Sequence, residues 1–579
     1  MFASPAPHRA NAIAAPVVIF RLGRPRPRRE IAMTTPGTPA AKGFPLPAIA
    51  ARATRIDVYD TTLRDGSQQE GITLSVADKL EIARRLDEIG VGYIEGGWPG
   101  AIPRDTEFFR RAAAELKLKN AALTAFGSTR KAGVAVEDDP QIAALIDSGA
   151  PVVCIVAKSH IRHVELALRT TPEENLAMIT ESVRYLRAQG RRVFVDAEHF
   201  FDGFLLDRDY ALAAVRAAHE AGAEVVVLCD TNGGMLPTWV GKIVAETRAA
   251  CTGKLGIHTH NDTGCAVANA VAAVEAGAAH VQGTINGYGE RTGNADLLAV
   301  VANLELKYGL ELLPKGKLAE ITYAAHGIAE LTNIPPMKRQ PYVGFSAFAH
   351  KAGLHASAIR QDADLYQHID PLAVGNDMRM LVSDMAGRAS IELKAREFGL
   401  DISDRPEVLA AVTERVKELE ARGYTFDAAE ASFELLLREQ LDGAPLKYFD
   451  VTNWTVHTEN NGDHVATSTA TVTLRQKDGS EVVLGGKGNG PVNALDHAIR
   501  FGLRQQYPEI DAFELTDFTV RILESSHGTG AITRVLITTS GKDKDWRTVG
   551  VGENILDAAW EALTASYAYG LRLIGVEPR

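Results

Sequence analysis

Cysteine is scarce. The 579 residues hold four, Cys154, Cys229, Cys251 and Cys265, with no Cys-x-x-Cys pair. Cys154 and Cys229 fall in apolar, strand-like runs where buried reduced thiols are expected, and a reducing, cytoplasmic compartment fits. Long apolar runs are missing too: none approaches the ~20 residues that cross a bilayer, which excludes a membrane-spanning helix. Positive charge is in deficit, with 62 Lys and Arg against 73 Asp and Glu and a net charge of -11. A nucleic-acid binder needs a basic face, so that class is disfavoured. An anionic substrate is not, because local Arg and His clusters or a metal bind carboxylates inside an acidic protein. No Gly-x-Gly-x-x-Gly follows the first strand, which weakens a doubly wound open sheet.

What is present reads as a multidomain enzyme. An apolar share of 46% and a charged share of 23% are ordinary for a globular chain, and the length calls for a barrel plus smaller domains. Residues 1–54 stand apart: Arg9, Arg21, Arg24, Arg26, Arg28 and Arg29 face the single acid Glu30 among many prolines and alanines. Such a segment buries no core and is expected to be disordered. It has the make-up of a transit peptide, but an extension upstream of a true start at Met33 is the simpler account.

From residue 55 to 312, Val/Ile-rich runs alternate with amphipathic segments. Strands are expected at 55–59, 93–95, 121–126, 151–157, 192–197, 224–229, 254–260 and 280–285. Helices lie between them, among them one capped by Ser75 and stopped by Gly90, and one opened by Thr171-Pro172. Eight strand-helix units over ~250 residues predict a (β/α)8 TIM barrel. A barrel places its functional groups at the C-terminal strand ends, and the polar residues fall there: Arg64 and Asp65, Glu95 and Trp98, Glu198 and His199, Asp230 and Thr231, His258 and His260, then Gly287-Tyr-Gly-Glu-Arg. Residues 313–447 read as helical linker subdomains. Residues 448–579 carry two βββα units, with strands at 451–457, 466–474, 480–486, 518–523, 531–538 and 546–551. A tandem repeat of this kind suits dimerisation and a ligand site at the repeat junction.

His258 and His260, one residue apart in a strand, face the same side and can grip one divalent ion. Asp65 and Asn294 complete a mixed oxygen and nitrogen set for Mn²⁺, Mg²⁺ or Zn²⁺, with positions open to a bidentate 2-oxo acid. Arg64 either stabilises a developing oxyanion or forms a buried ion pair. Glu198 is a candidate base or orienting group, or a structural carboxylate bonded to Arg64. Trp98 walls the pocket or packs in the core. Gly287, Gly289, Glu290 and Arg291 sit in a loop able to approach a phosphate or pantetheine arm.

These residues carry a resemblance. Asp60-Thr-Thr-Leu-Arg64-Asp65-Gly66, His258-x-His260-Asn261-Asp262 and Gly287-Tyr-Gly-Glu290-Arg-x-Gly-Asn294 resemble the signature of the metal-dependent acyl-CoA lyase and synthase barrels: the isopropylmalate, homocitrate and citramalate synthases and hydroxymethylglutaryl-CoA lyase. The βββα repeat is similar to the allosteric domain of the isopropylmalate and citramalate synthases. Gly66-Ser-Gln-Gln-Glu-Gly and Tyr93-Ile-Glu-Gly-Gly-Trp98-Pro-Gly are most similar to the citramalate branch. The resemblance implies condensation of acetyl-CoA with pyruvate by a homodimer, and thioester hydrolysis. It also implies Asp65, His258, His260 and Asn294 as metal ligands and Arg64 polarising the keto oxygen. Glu198 and Thr231 would line the substrate, and His355 would reach the partner subunit's site as part of the base machinery. No tyrosine stands in Val374-Gly-Asn-Asp-Met-Arg379, where the family's second group is expected. Isoleucine is the effector implied at the C-terminal domain. Two alternatives stay open: 2-oxoisovalerate as the substrate, and a retired barrel serving as an amino-acid sensor.

Overall fold

The computed structural model describes residues 56–578 apart from 384, 386, 461, 463–465, 477, 524–529 and 543. The extension expected over 1–54, with the start expected at Met33, lies outside the described residues.

Eight parallel strands close into a barrel: β1 (Asp57–Asp60), β2 (Tyr93–Gly97), β3 (Ala122–Ser128), β4 (Val152–Lys158), β5 (Arg192–Glu198), β6 (Val225–Asp230), β7 (Lys254–Thr259) and β8 (His280–Gly283), the last pairing with the first. Closure rules out the doubly wound alternative. Each crossover carries its own start and stop. Ser75 forms a reciprocal capping box with Asp78 at the head of the helix Val76–Ile89, and Gly90 ends it at φ 91°. Thr171 caps Pro172–Ala188 through Glu174 N–H.

Inside the barrel the period of two sorts residues by depth. Tyr59, Tyr93, Phe126, Cys154, Phe194, Val225 and Val227 pack the interior. Two residues further along three of the same strands stand Glu95, Asp196 and Cys229, and His258 and Gln282 occupy the neighbouring strands, all buried. The inner column thus changes from aromatic to polar as it rises to the C-terminal face. Cys154 and Cys229 are buried free thiols, as expected.

The segment after the barrel is helical: Ile321–Thr332, Gly353–Ile359, Arg388–Glu397, Pro406–Ala421 and Glu430–Asp442, with two-residue strands β9 (Ala349–His350) and β10 (Arg379–Met380). Its start is tied to the barrel mouth, where Gln340 Nε2 donates to Asn286 Oδ1 at 3.0 Å and Asp296 Oδ2 at 2.9 Å.

The last section repeats itself. β11 (Asp450–Asn460), β12 (Ala466–Arg475) and β13 (Glu481–Gly488) precede the helix Pro491–Gln506. β14 (Glu514–Ile522), β15 (Thr533–Ser540) and β16 (Asp545–Gly552) precede Ile555–Leu573. Glycine marks the same spot in each unit. A Cβ on Gly486 would lie 2.4 Å from Ala494 O and Ala498 N, and one on Gly550 would lie 2.0 Å from Ala558 O. Each helix therefore rests directly on its sheet. Both helices share one core with Val535, Ile537 and Trp546, and Tyr567 donates its hydroxyl to Asp496 across the repeat junction.

Candidate metal centre and active site

β1 ends in a turn organised by Asp60, whose carboxylate accepts from Thr62 N–H and Oγ1, both at 2.9 Å. Thr62 Oγ1 in turn accepts from Ile285 N–H at 2.8 Å, which fastens this turn to the loop after β8. The turn delivers Arg64 and Asp65 to the rim above β7. There Asp65 Oδ2 lies 3.2 Å from His258 Nε2 and 3.6 Å from His260 Nε2, and the two nitrogens are 3.1 Å apart. Ligands held about 2.1 Å from one ion sit about 3.0 to 3.4 Å from each other. The triangle has the size of a coordination face.

Its supports fit the same role. Gln282 Oε1 lies 3.0 Å from His258 Nδ1 and can only accept there, so the proton sits on Nδ1 and the Nε2 lone pair faces Asp65. Gln282 is itself oriented by donating to Asp196 Oδ1 at 3.1 Å. Asn294 is joined to His260 by a backbone bridge, and its Nδ2 donates to Tyr288 O at 2.9 Å. Its Oδ1 is buried with no partner among the described residues. A carboxylate, two imidazoles and an unmet amide oxygen form a donor set that suits a divalent ion. Burial would raise the Asp65 carboxyl, but Arg64 and the two histidines outweigh it and hold it well below the usual range. Arg291 donates from Nη2 to His260 Nδ1 at 3.0 Å and is gripped by Asp262 at 2.8 and 2.9 Å. Ligation through His260 Nε2 would move that ring's proton to Nδ1 and leave Arg291 to Asp262.

Arg64 donates Nε to Glu95 Oε2 at 2.6 Å, while its guanidinium lies 3.9 Å above the Phe126 ring. Glu95 also accepts from Tyr59 OH at 2.6 Å and from Thr61 Oγ1. Burial opposes the charge on Arg64, and Glu95 with Asp65 more than restores it. The arginine is a fixed cation beside the triangle; its shortest buried ion pair is with Glu95, and its Nη1 lies 3.6 Å from Asp65 Oδ1. Glu198 does not bond Arg64, contrary to one of the expectations above. It ion-pairs with Lys158 at the end of β4, because parity in two adjacent parallel strands brings residues 158 and 198 into register.

The remaining candidates fall as follows. Thr231 Oγ1 accepts from His199 N–H at 2.9 Å on the same rim. Trp98 is half-buried, donates Nε1 to Gln141 Oε1 at 2.7 Å and packs edge-on against Phe126, so it backs the ring under Arg64. In the glycine loop, a Cβ on Gly289 would lie 2.2 Å from Asn294 Nδ2 and one on Gly293 2.0 Å from Gly287 O. These glycines let the loop fold tightly around Asn294. Glu290 is exposed. His355 stands apart from the Asp65 set; its rings of contact are Tyr366, stacked at 4.1 Å, and His350 at 6.1 Å.

Comparison with known proteins decides the family. Residues 55–328 match the HMGL-like model, 342–424 the homocitrate synthase post-HMGL domain-like model, and 427–571 the LeuA allosteric (dimerisation) domain. The chain is 61% identical to an (R)-citramalate synthase of Streptomyces coelicolor over 90% of its own length and 97% of the relative's. It is 47% identical to an (R)-citramalate synthase of Synechocystis over 91% and 98%. A probable 2-isopropylmalate synthase of Methanopyrus kandleri is 33% identical over 88% and 97%. The chain belongs to the citramalate synthase family.

Several residues that contact the candidate site residues carry no motif of their own. Gln282 lies in an unremarkable strand, and only closure of β8 on β1 and β7 puts it behind His258. Lys158 is a strand-end lysine whose partner is 40 positions away. Tyr366, eleven residues beyond His355, meets it only through the turn after Gly353–Ile359. Glu95 was readable as a strand-end residue; its bond to Arg64 was not.

Proposed function

We propose that this chain condenses acetyl-CoA with pyruvate and hydrolyses the thioester, giving citramalate and CoA. The observation that carries the reading is the Asp65, His258 and His260 triangle beside the Arg64 cation, in a chain matching citramalate synthases along nearly their whole length. A divalent ion held by Asp65, His258, His260 and Asn294 supplies Lewis acidity to the keto group when bound.

Arg64 gives Nε to Glu95 and keeps its Nη donors for the oxygen on which charge develops as the acetyl carbon attacks. Glu95, Tyr59 and Thr61 hold that guanidinium in place, so little reorganisation is needed in the transition state. Glu198 and Thr231 line the 2-oxo acid. The acetyl methyl proton goes to the base machinery of His355 from the partner's linker, with Tyr366 stacked on it. The loop from Gly287 to Arg291 receives the CoA arm. The C-terminal repeat dimerises the enzyme and takes isoleucine as effector.

The test is CoA thiol release from acetyl-CoA with Mn²⁺ or Mg²⁺, comparing pyruvate, 2-oxoisovalerate and 2-oxoglutarate. Release with pyruvate, lowered about 10²- to 10³-fold by Arg64→Ala, is expected. Preference for 2-oxoisovalerate would move the chain to isopropylmalate synthesis, and no release with any acid would point to a sensor. Activity unchanged across an isoleucine titration would remove the effector assignment.

A further inference from the structure

On the far arc of the barrel rim, after β4 and β5, a second group of ligand-type side chains gathers. The His160 and His163 rings are 4.8 Å apart and the His163 and His199 rings 4.2 Å apart. Donor atoms of His163, Glu198 and His199 all lie within 4.8 Å of one another. The reading of this rim as a condensation site gives the imidazoles no task. They are also imperfectly satisfied. His160 Nδ1 and His199 Nδ1 are buried with no hydrogen-bond partner among the described residues, and Asp202 Oδ2 stays 3.9 Å from the latter. His199 further adopts a left-handed backbone, φ 54° and ψ 33°, a conformation that costs a non-glycine residue free energy and persists only where the surroundings enforce it. Thr231 pins it there by accepting its N–H.

Burial, and then the neighbouring rings, push His160 and His163 below the ordinary histidine range, so both are neutral lone-pair donors at pH 7. Neutral imidazoles with one carboxylate suit borderline ions such as Zn²⁺, whereas Mg²⁺ prefers an all-oxygen shell.

We propose that His163, Glu198 and His199 form a second divalent-metal site, selective for Zn²⁺ over Mg²⁺, with Asp202 within reach as a fourth donor. In the metal-free chain Lys158 neutralises Glu198. Zn²⁺ takes that carboxylate from the ammonium, placing two charges where one stood. The consequence for catalysis rests on the proposed function: Glu198 lines the 2-oxo acid there, so filling this site withdraws it and inhibits condensation.

The test counts Zn²⁺ per full-length chain after equilibrium dialysis against buffered Zn²⁺. Two ions are expected in the wild type, one in His163→Gln, and one in the double variant His258→Gln, His260→Gln. His199→Asn, which puts a residue type at ease in left-handed backbone at that position, should also bind one and guards against misfolding of His163→Gln. A single ion in the wild type that disappears with the His258, His260 pair overturns the proposal. So does a second ion that persists in both His163→Gln and His199→Asn. In thiol-release assays with Mg²⁺, the part of the Zn²⁺ inhibition that belongs to this site vanishes in His163→Gln, and equal inhibition of both enzymes overturns the link to Glu198. The ion counts stand whether or not the chain proves to be a synthase.

Discussion

At the scale of single residues, the centre is a set of groups whose neighbours decide what they can do. His258 offers a lone pair to an ion because Gln282 holds its other nitrogen. Gln282→Leu frees that ring to turn and to change tautomer. Mn²⁺ affinity should fall about 10- to 100-fold in calorimetric titration, with the far-ultraviolet circular dichroism unchanged. Gly289 acts by omission, since a methyl group there would sit 2.2 Å from the Asn294 amide. Gly289→Ala should therefore weaken Mn²⁺ in the same titration although it removes no ligand, and unchanged affinity would mean that Asn294 is dispensable.

At the scale of elements, two ion pairs fasten strands to their surroundings. Lys79, on Val76–Ile89, is fully buried and bonds Asp105 and, at 2.9 Å, Gly96 O, so it locks two helices to the end of β2. Asp105→Ala leaves that ammonium unpaired in the core and should cost about 3 to 5 kcal/mol in urea unfolding. At the opposite end of the barrel, Asp57 on β1 pairs with Lys254 on β7, and His280 Nδ1 on β8 stands 3.8 Å from the same carboxylate oxygen. Burial would raise the Asp57 carboxyl, but the neighbouring His280 and Lys254 prevail and bring it down to about 2 from 3.8. The folded state thus favours the ionised form. Its contribution is complete above the unfolded value and is lost as pH falls toward the folded one. Wild type should exceed Asp57→Asn by about 2 kcal/mol at pH 6, a gap that narrows as pH drops from 4 to 2.

At the scale of the whole molecule, the helices of the C-terminal repeat do not reach over the edge strands of their sheets, and apolar residues stand exposed there. Val483 is 67% exposed, and Phe518 and Ile522, spaced alike on β14, are 42% and 59% exposed. An edge strand of this kind invites pairing with another chain. With the LeuA dimerisation domain matched here, the expected occupant is a second copy. Phe518→Glu with Ile522→Glu should shift sedimentation from dimer toward monomer at micromolar concentration. If His355 serves the partner's site, the same variant should lose synthase activity in step with the dimer while each chain keeps its Mn²⁺ affinity.

By itself the sequence determined the barrel strands, the two βββα units and the metal-type residues. All three are local: strand runs follow from Val/Ile composition and period, and His258 and His260 share a face whatever lies around them. Tertiary structure decided which groups meet. Arg64 took Glu95 rather than Glu198, Glu198 took Lys158, and Gln282 came to stand behind His258, because those pairings depend on the register of parallel strands 24 to 40 positions apart. The stacking of Tyr366 on His355 and the gathering of His163 with His199 have the same origin. Period assigns a side chain to a face; only closure of the barrel and the course of its loops set the distance between two faces.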